Sequence, residues 1–469
     1  MPVAGALLVA TVVSVLLRTG DLHAGFWIDE GIAVGIASHG VADIPVLLRA
    51  DGSPPLYYLL LHGWLALTGD GEAAARSLSL VFAALTVPVS WWAATAVAGR
   101  RAGVVAAAIA VGCPLLTYYA QEARMYTLVA LLSLVASAGF VLGFVRGRRG
   151  QLVTLAVALV LLLYTHTWGL FLAAALGGAW LLLWRTGRVG GRDGALVAAA
   201  VGLAYAPWIP SLAFQVTHTG APWSEPPSVL VLAALLVPAA LAWRAATATV
   251  RLLALVTAIG VALAWLASQV EPAWSARYLA VLYGPAVLAV ACAIARRPPW
   301  AAGAVAAAAA ALLVVPLPAK SNVRAVAVSA GIGLRPGDVV ISTQPEQVPV
   351  LRRYLPPGLT YLTPLGTPPD PSVMDWRDAL PRLRAAGTPR LPRLTPGRRV
   401  VLVTPIGGRS PTPWSRAVRR RTREWRAALR SDSRLRWLGA TSRPDARRFR
   451  SAVRAEIFVV EVVGRTAAA

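Results

Sequence analysis

An adjacent carboxylate pair, Asp29-Glu30, follows Trp27-Ile28 near the start of the chain. One carboxylate beside a bound hydroxyl can take its proton, and a second can orient the first. Neighbouring residues on a strand point apart, so presenting both takes a turn or a helix start. The blander role for such acids is a solvated loop, or the charge favoured at a helix N-terminus. Farther on, Tyr119-Ala120-Gln121-Glu122-Ala123-Arg124-Met125-Tyr126 packs a carboxylate, a guanidinium and two phenols into one short run. Thr165-His166-Thr167-Trp168, Ala276-Arg277-Tyr278 and Ala75-Arg76-Ser77 add histidine, arginine and more rings. Arginine grips phosphate through bidentate, charge-assisted hydrogen bonds. Carboxylate, arginine, histidine and aromatic ring together suit a site that handles a phosphate and a sugar. Singly, each has a plainer role: Glu122 and Arg124 as a local ion pair, His166 as an interfacial hydrogen-bonding group, Arg277 snorkelling to headgroups. His166 alone is no metal signature, and the spacing of Asp, Glu and His leaves a divalent cation open.

The elements that must carry these residues are apolar. Of the 469 residues 57% are hydrophobic and 14% charged, with a mean hydropathy of +0.61. Soluble domains average about 25% charged residues, which excludes a single large soluble domain. Several uncharged runs approach the roughly 17–25 residues that cross a bilayer. The chain therefore reads as an α-helical polytopic membrane protein. Most of the net charge of +24 lies beyond residue 320, and Lys320 is the only lysine. Ala, Arg and Pro richness accounts for that excess compositionally, and no nucleic-acid fingerprint accompanies it. Cys113 and Cys292 both sit in apolar runs, which argues against a disulfide framework or a thiolate metal site.

Short basic links set the expected topology: Gly99 to Arg101, Arg146 to Arg149, Arg185 to Asp193, Arg244 to Arg251, and Arg296-Arg297. Placing them all in the cytoplasm satisfies the positive-inside rule and makes 102–145, 150–184, 194–243 and 250–295 hairpins. With helices near 3–17, 77–98 and 300–317, about eleven spans result, and residues 320–469 fall outside. The run 54–69 then has to be a helix lying in or dipping into the outer interface, opened by two prolines. Residues 1–17 read as an uncleaved first helix, because no basic segment precedes them. The tail reads as a small α/β domain with strands at 337–343, 399–408 and 456–463. A helical period over 414–438 would put Trp425, Leu429 and Trp437 on one stripe. The domain division is then a membrane catalytic part over 1–319, whose first outer loop is 18–76, and an extracytoplasmic part over 320–469.

With that topology the polar runs above gather at outer helix ends, while the inner links are almost purely basic. The ordered set resembles the GT-C superfamily of membrane glycosyltransferases, and looks closest to the family 39 type. Protein O-mannosyltransferases and the aminoarabinose transferases that modify lipid A belong there. The matching pieces are Trp27 to Glu30, Ser53-Pro54-Pro55-Leu56-Tyr57-Tyr58, Ala75-Arg76-Ser77, Tyr119 to Tyr126, Tyr164-Thr165-His166 and Ala276-Arg277-Tyr278-Leu279. They span about residues 1–320 in order and look especially like bacterial predicted mannosyltransferases.

The resemblance implies a polyprenyl-phosphate sugar donor, an extracytoplasmic active site in the plasma membrane and inversion at the anomeric carbon. It also implies Asp29 as the base, with Glu30 beside it. Arg76, Tyr119, Glu122, Arg124, Tyr126, His166, Arg277 and Tyr278 are then the substrate-binding candidates. Before its Pro-Pro pair this chain has Asp51-Gly52-Ser53, where some relatives carry a charge, so any contact made there does not transfer. The acceptor is left open among glycan, lipid and protein, and no certain cofactor is implied. Two rivals stand beside this reading. A transporter or lipid flippase would place binding groups near the midplane of repeated halves, and a scaffold would use the basic tail on anionic surfaces.

Overall fold

The computed structural model describes the chain apart from residues 1–2, 244–245, 314–318, 388, 390, 392–393, 408–411, 443–444 and 462–469. The expected ends of the last helix and of two strands lie outside the described residues. The chain forms two compact units. The first comprises Met1–His23, Gly52–Val216 and Ser224–Pro316, and the second Ala24–Asp51, Thr217–Trp223 and Leu317–Ala469. The segment carrying Asp29-Glu30 therefore belongs with the C-terminal sheet, although in sequence it sits among the apolar helices.

Helices α1 (Val3–Leu16), α2 (Ile28–Ala37), α3 (Ile44–Asp51) and α4 (Leu56–Thr68) come first. They are followed by α5 (Glu72–Ala98), α6 (Arg100–Gly112), α7 (Pro114–Tyr119) and α8 (Tyr126–Phe140), the last extended by a π-turn over Val141–Val145. Next are α9 (Gly150–Thr165), α10 (Gly169–Arg185), α11 (Gly191–Tyr205) and α12 (Ile209–His218). The membrane part ends with α13 (Val229–Ala242), α14 (Ala248–Val270), α15 (Tyr283–Ile294, entered through a 3-10 turn at Ala276–Leu282) and α16 (Pro299–Leu313). Apolar helices thus occupy each expected stretch. Among the described residues, five helical segments are long and apolar enough to cross a membrane. The helix foreseen at 54–69 is α4; its 13 residues rise about 20 Å, short of a hydrocarbon core.

Within this unit α8 is the most enclosed span, with 78% of its apolar window buried. Polar side chains tie it to its neighbours. Thr127 donates to the Ser79 carbonyl on α5 at 2.9 Å, and Ser133 to the Val281 carbonyl at 2.7 Å. Arg18, buried to 0% exposure, answers the carbonyls that α6 leaves unpaired at its end. Its Nη2 donates to Ala110 O at 2.7 Å and Val111 O at 3.0 Å, and its Nη1 to Ser14.

The second unit is built on a six-stranded mixed sheet, β1 (Ala319–Ser321), β2 (Val339–Ser342), β3 (Thr360–Leu362), β4 (Arg399–Ile406), β5 (Leu435–Ala440) and β6 (Phe449–Val460). The order is β1-β6-β4-β2-β3, with β5 also pairing β6. β2 is parallel to both β3 and β4, and all four of its residues are buried, as expected of a strand covered on two faces. Helices α17 (Val323–Gly331), α18 (Val348–Tyr354), α19 (Ala379–Ala385) and α20 (Pro413–Ser431) complete the unit. Thr412 caps α20 by accepting from Ser415 N at 3.2 Å. Trp425 and Leu429 pack on the sheet core as expected. Trp437 does not continue their stripe: α20 stops at Ser431, and Trp437 lies half-exposed on β5, because Asp432 turns the chain by accepting from Arg434 N. Glu456 on β6 takes Arg426 at 2.6 Å and Arg430 at 2.7 Å, one helical turn apart on α20.

Candidate active site

In the helical unit, three helical entries bring the sequence-selected residues together. The turn Gln121–Arg124 joins α7 to α8, closed by Arg124 N donating to Glu122 O at 2.8 Å. Glu122 is wholly buried in that turn. Arg124 reaches back to α4, donating from Nη1 to the Tyr58 hydroxyl at 3.0 Å. Tyr57, beside it, bonds the Ser79 hydroxyl at 2.9 Å, and Ser79 donates to the Arg124 carbonyl at 2.9 Å. Helices α4, α5 and α8 are thereby locked around the arginine.

Tyr126, the first residue of α8, has 0% exposure and forms an aromatic floor. The Arg124 guanidinium carbon lies 5.9 Å from its ring centroid and that of Arg277 5.6 Å. Arg277 also lies 5.4 Å from the Tyr278 ring. Tyr119 packs on Tyr126 at 4.7 Å, His166 stands 4.9 Å from Tyr278, and Trp168 follows at 5.0 Å from Tyr278. Cations held near ring faces draw part of their stabilisation from the rings. Each of α8 and the 276–294 helix opens at this cluster, so two helix N-termini add positive potential.

His166 caps the end of α9 outside the helices. Its Nδ1 accepts the Trp168 backbone N–H at 3.1 Å, which leaves Nε2 carrying the proton. Burial, and then the charges of Arg124 and Arg277, hold its pKa down to about 3. It is a neutral donor at physiological pH. Arg76 is placed differently: it is fully buried on α5, and its Nη1 donates to the carbonyls of Asp21 and Leu22 at 2.8 and 2.9 Å. Those bonds fix the chain leaving α1.

Asp29 and Glu30 belong to the other unit. They occupy the first turn of α2, a helix start, one of the two settings that the pair allows. Glu30 is buried and its Oε2 accepts the Trp27 N–H at 3.4 Å, half of a capping box. Asp29 beside it is half-buried. The sheet unit grips the segment closely. A Cβ on Gly31 would come 2.3 Å from Val350 Cγ2, and one on Gly35 1.8 Å from the Ser372 carbonyl oxygen. Only glycine allows that approach. The Tyr354 hydroxyl accepts Phe26 N–H at 2.8 Å, and His39 bonds Asp370 at 2.7 Å and the Gly35 carbonyl at 2.8 Å.

Glu346, just before α18, was not visible as a site residue in the sequence. It is 4% exposed, and burial, with the charge of Asp29, moves its pKa upward against the hydrogen bonds it accepts from Gln344 and Trp414. Its only sequence mark is a Pro-Glu-Gln triplet after a strand. Among the described residues, no group of three or more His, Cys, Asp or Glu is placed to hold a metal ion.

No family model matches the chain, and no curated protein matches it. Solved structures do. ArnT from Cupriavidus metallidurans in the apo state superposes with a TM-score of 0.64 at 14% identity, covering 97% of this chain and 98% of that one. The same protein bound to undecaprenyl phosphate gives 0.61 at 16% identity, with 97% of each chain covered. At that identity the likeness is one of fold, and it extends over both units.

Proposed function

We propose that this chain, which has the ArnT fold, is an inverting glycosyltransferase that moves a sugar from a polyprenyl-phosphate donor to a hydroxyl acceptor. The observation that carries the reading is the placement of Arg124 and Arg277 against one buried ring, Tyr126, at the mouths of two helices. Paired guanidiniums on a rigid aromatic floor are preorganised for the phosphate that departs as the glycosidic bond breaks. A polyprenyl phosphate leaves readily, so no strong acid is needed opposite the base, unlike glycoside hydrolysis. That a structure of the same fold binds undecaprenyl phosphate supports this donor class.

Roles follow residue by residue. Arg124 and Arg277 hold the donor phosphate; His166 donates from Nε2; Tyr119, Tyr126 and Tyr278 face the sugar; Glu122 sets the turn that aims Arg124. Asp29 takes the acceptor proton, and Glu30 holds the start of α2. Arg76 positions the chain after α1. The transferred group is a hexose or pentose, with mannose the first to test given the family 39 resemblance. Basic links in the cytoplasm put the active site and the sheet unit outside. The acceptor is a glycan, lipid or protein hydroxyl.

The test is to supply purified protein with radiolabelled polyprenyl-phosphate sugars and follow transfer or donor hydrolysis. Release of polyprenyl phosphate from at least one donor is expected. A protein that neither binds nor cleaves any donor of the panel would end the reading.

A further inference from the structure

The three helical segments whose starts carry Arg76, Arg124 and Arg277 end together about 30 Å away, at 1.5 Å per residue. There a cavity of about 720 Å³ opens, within the helical unit. It is lined by Arg100, Arg101, Arg146, Arg148 and Arg296, with Thr247 among them. Arg100 and Arg101 open α6, and the other three follow α8 and α15. No carboxylate is among the described residues that line the cavity. Arg146 spends one bond on the end of α5, donating from Nη2 to Val97 O at 2.8 Å.

A topological bias toward basic links needs charges on one side of a membrane, but it does not need them to converge. Convergence costs repulsion, and the cavity's concavity concentrates positive potential where an anion would sit. Two helices also begin here, α6 at Arg100 and α14 at Ala248, the latter capped by Thr247 accepting from Val250 N at 3.3 Å. The floor is apolar, with Val97 and Cys292 buried. Arginine heads above an apolar floor, at the ends of membrane helices, match a phosphate ester joined to acyl chains better than a free ion.

We propose that this cavity is a second anion site, which binds the phosphate headgroup of an anionic membrane lipid at the end of the bundle remote from the donor cluster. Occupancy offsets part of the positive charge of the five arginines and ties the ends of α5, α8 and α15 together.

The experiment uses the full chain in neutral detergent. Short-chain phosphatidylglycerol, short-chain phosphatidylcholine and inorganic phosphate are each titrated and read by native mass spectrometry. Wild-type protein should retain phosphatidylglycerol selectively. The triple variant Arg100→Gln, Arg148→Gln, Arg296→Gln should lose at least about tenfold in that affinity. A control in another basic link, Arg185→Gln with Arg188→Gln, should lose little. Equal loss in the control would reduce the site to a generic basic face and overturn the proposal. So would equal retention of phosphatidylcholine, or inorganic phosphate binding as tightly as the lipid. If the triple variant does not fold, Arg148→Gln alone, which lies in an exposed turn, should still weaken phosphatidylglycerol binding; an unchanged affinity there overturns the proposal too. None of these outcomes depends on sugar transfer.

Discussion

The indole N–H of Trp414 donates to Oε1 of Glu346 at 2.8 Å, and Gln344 donates to the same oxygen at 2.8 Å. The carboxyl is thus fastened on one side while burial and the Asp29 charge favour its protonated form. Its folded pKa lies above the ordinary 4.5, so the folded state keeps this proton to higher pH than the unfolded state. The associated stability is complete below about 4.5 and declines as pH rises through the folded value. Glu346→Gln keeps an acceptor for Trp414 and removes the titration. Melting followed across pH should show the variant gaining on wild type toward neutral pH, with a flatter profile. Parallel profiles would show that Glu346 is not the group responsible.

Asp29→Asn should lower turnover by at least roughly 10²–10⁴-fold, since an amide keeps the shape and cannot take a proton. Glu30→Gln should be mild, because the amide oxygen can still accept the Trp27 N–H. Donor binding should survive both changes. Near-normal turnover in Asp29→Asn would remove Asp29 as the base.

Arg124→Ala and Arg277→Ala should each weaken donor-analogue binding by about ten- to hundredfold, the worth of one charge-assisted hydrogen bond. Lysine should restore part of this, keeping the charge and losing the planar fork. If both alanine proteins melt lower yet titrate normally, the arginines serve packing only.

Gly35→Ala pushes a methyl into the Ser372 carbonyl, a backbone atom that cannot swing aside. Overpacking of this kind costs typically 1–3 kcal/mol. The variant should melt lower and lose turnover, with the donor affinity of the helical unit retained. An unchanged melting point would mean that α2 is held less tightly than described.

Orientation is read by thiol labelling in a background lacking Cys113 and Cys292. A cysteine at Ser431, exposed at the end of α20, should react with an impermeant reagent in intact spheroplasts. One at Arg188, between α10 and α11, should not. The opposite pattern would invert the assignment of faces.

Hydropathy exposed the apolar helices well, because a run of aliphatic residues bounded by arginines reports its environment locally. The strands β2 and β4 were legible for the same reason, as β-branched runs between turn residues. Trp437 misled because periodicity continues across a short turn at 432–434, and nothing in an aromatic residue says whether a helix or a strand carries it. That Asp29-Glu30 needs a turn or a helix start was legible from the pair itself; which of the two holds it was not. That this helix belongs to the sheet unit was not. Its evidence lies in Gly31, Gly35 and His39, whose partners Val350, Ser372 and Asp370 are more than three hundred residues away. Glu346 stayed hidden on the same account: a buried carboxyl is recognised only by what surrounds it.

That separation has a consequence for how the protein is made. The α2 segment leaves the ribosome long before the strands and helices that enclose it. At about 5–20 residues per second, Gly31 waits on the order of tens of seconds for Val350 to be translated. During that interval Phe26, Trp27 and Ile32, all buried in the finished fold, have no native shelter. A premature stop before Val350 leaves the nascent carboxylate helix in that state. A chain cut before residue 320 therefore lacks the mould for its own proposed base, however well its membrane helices insert.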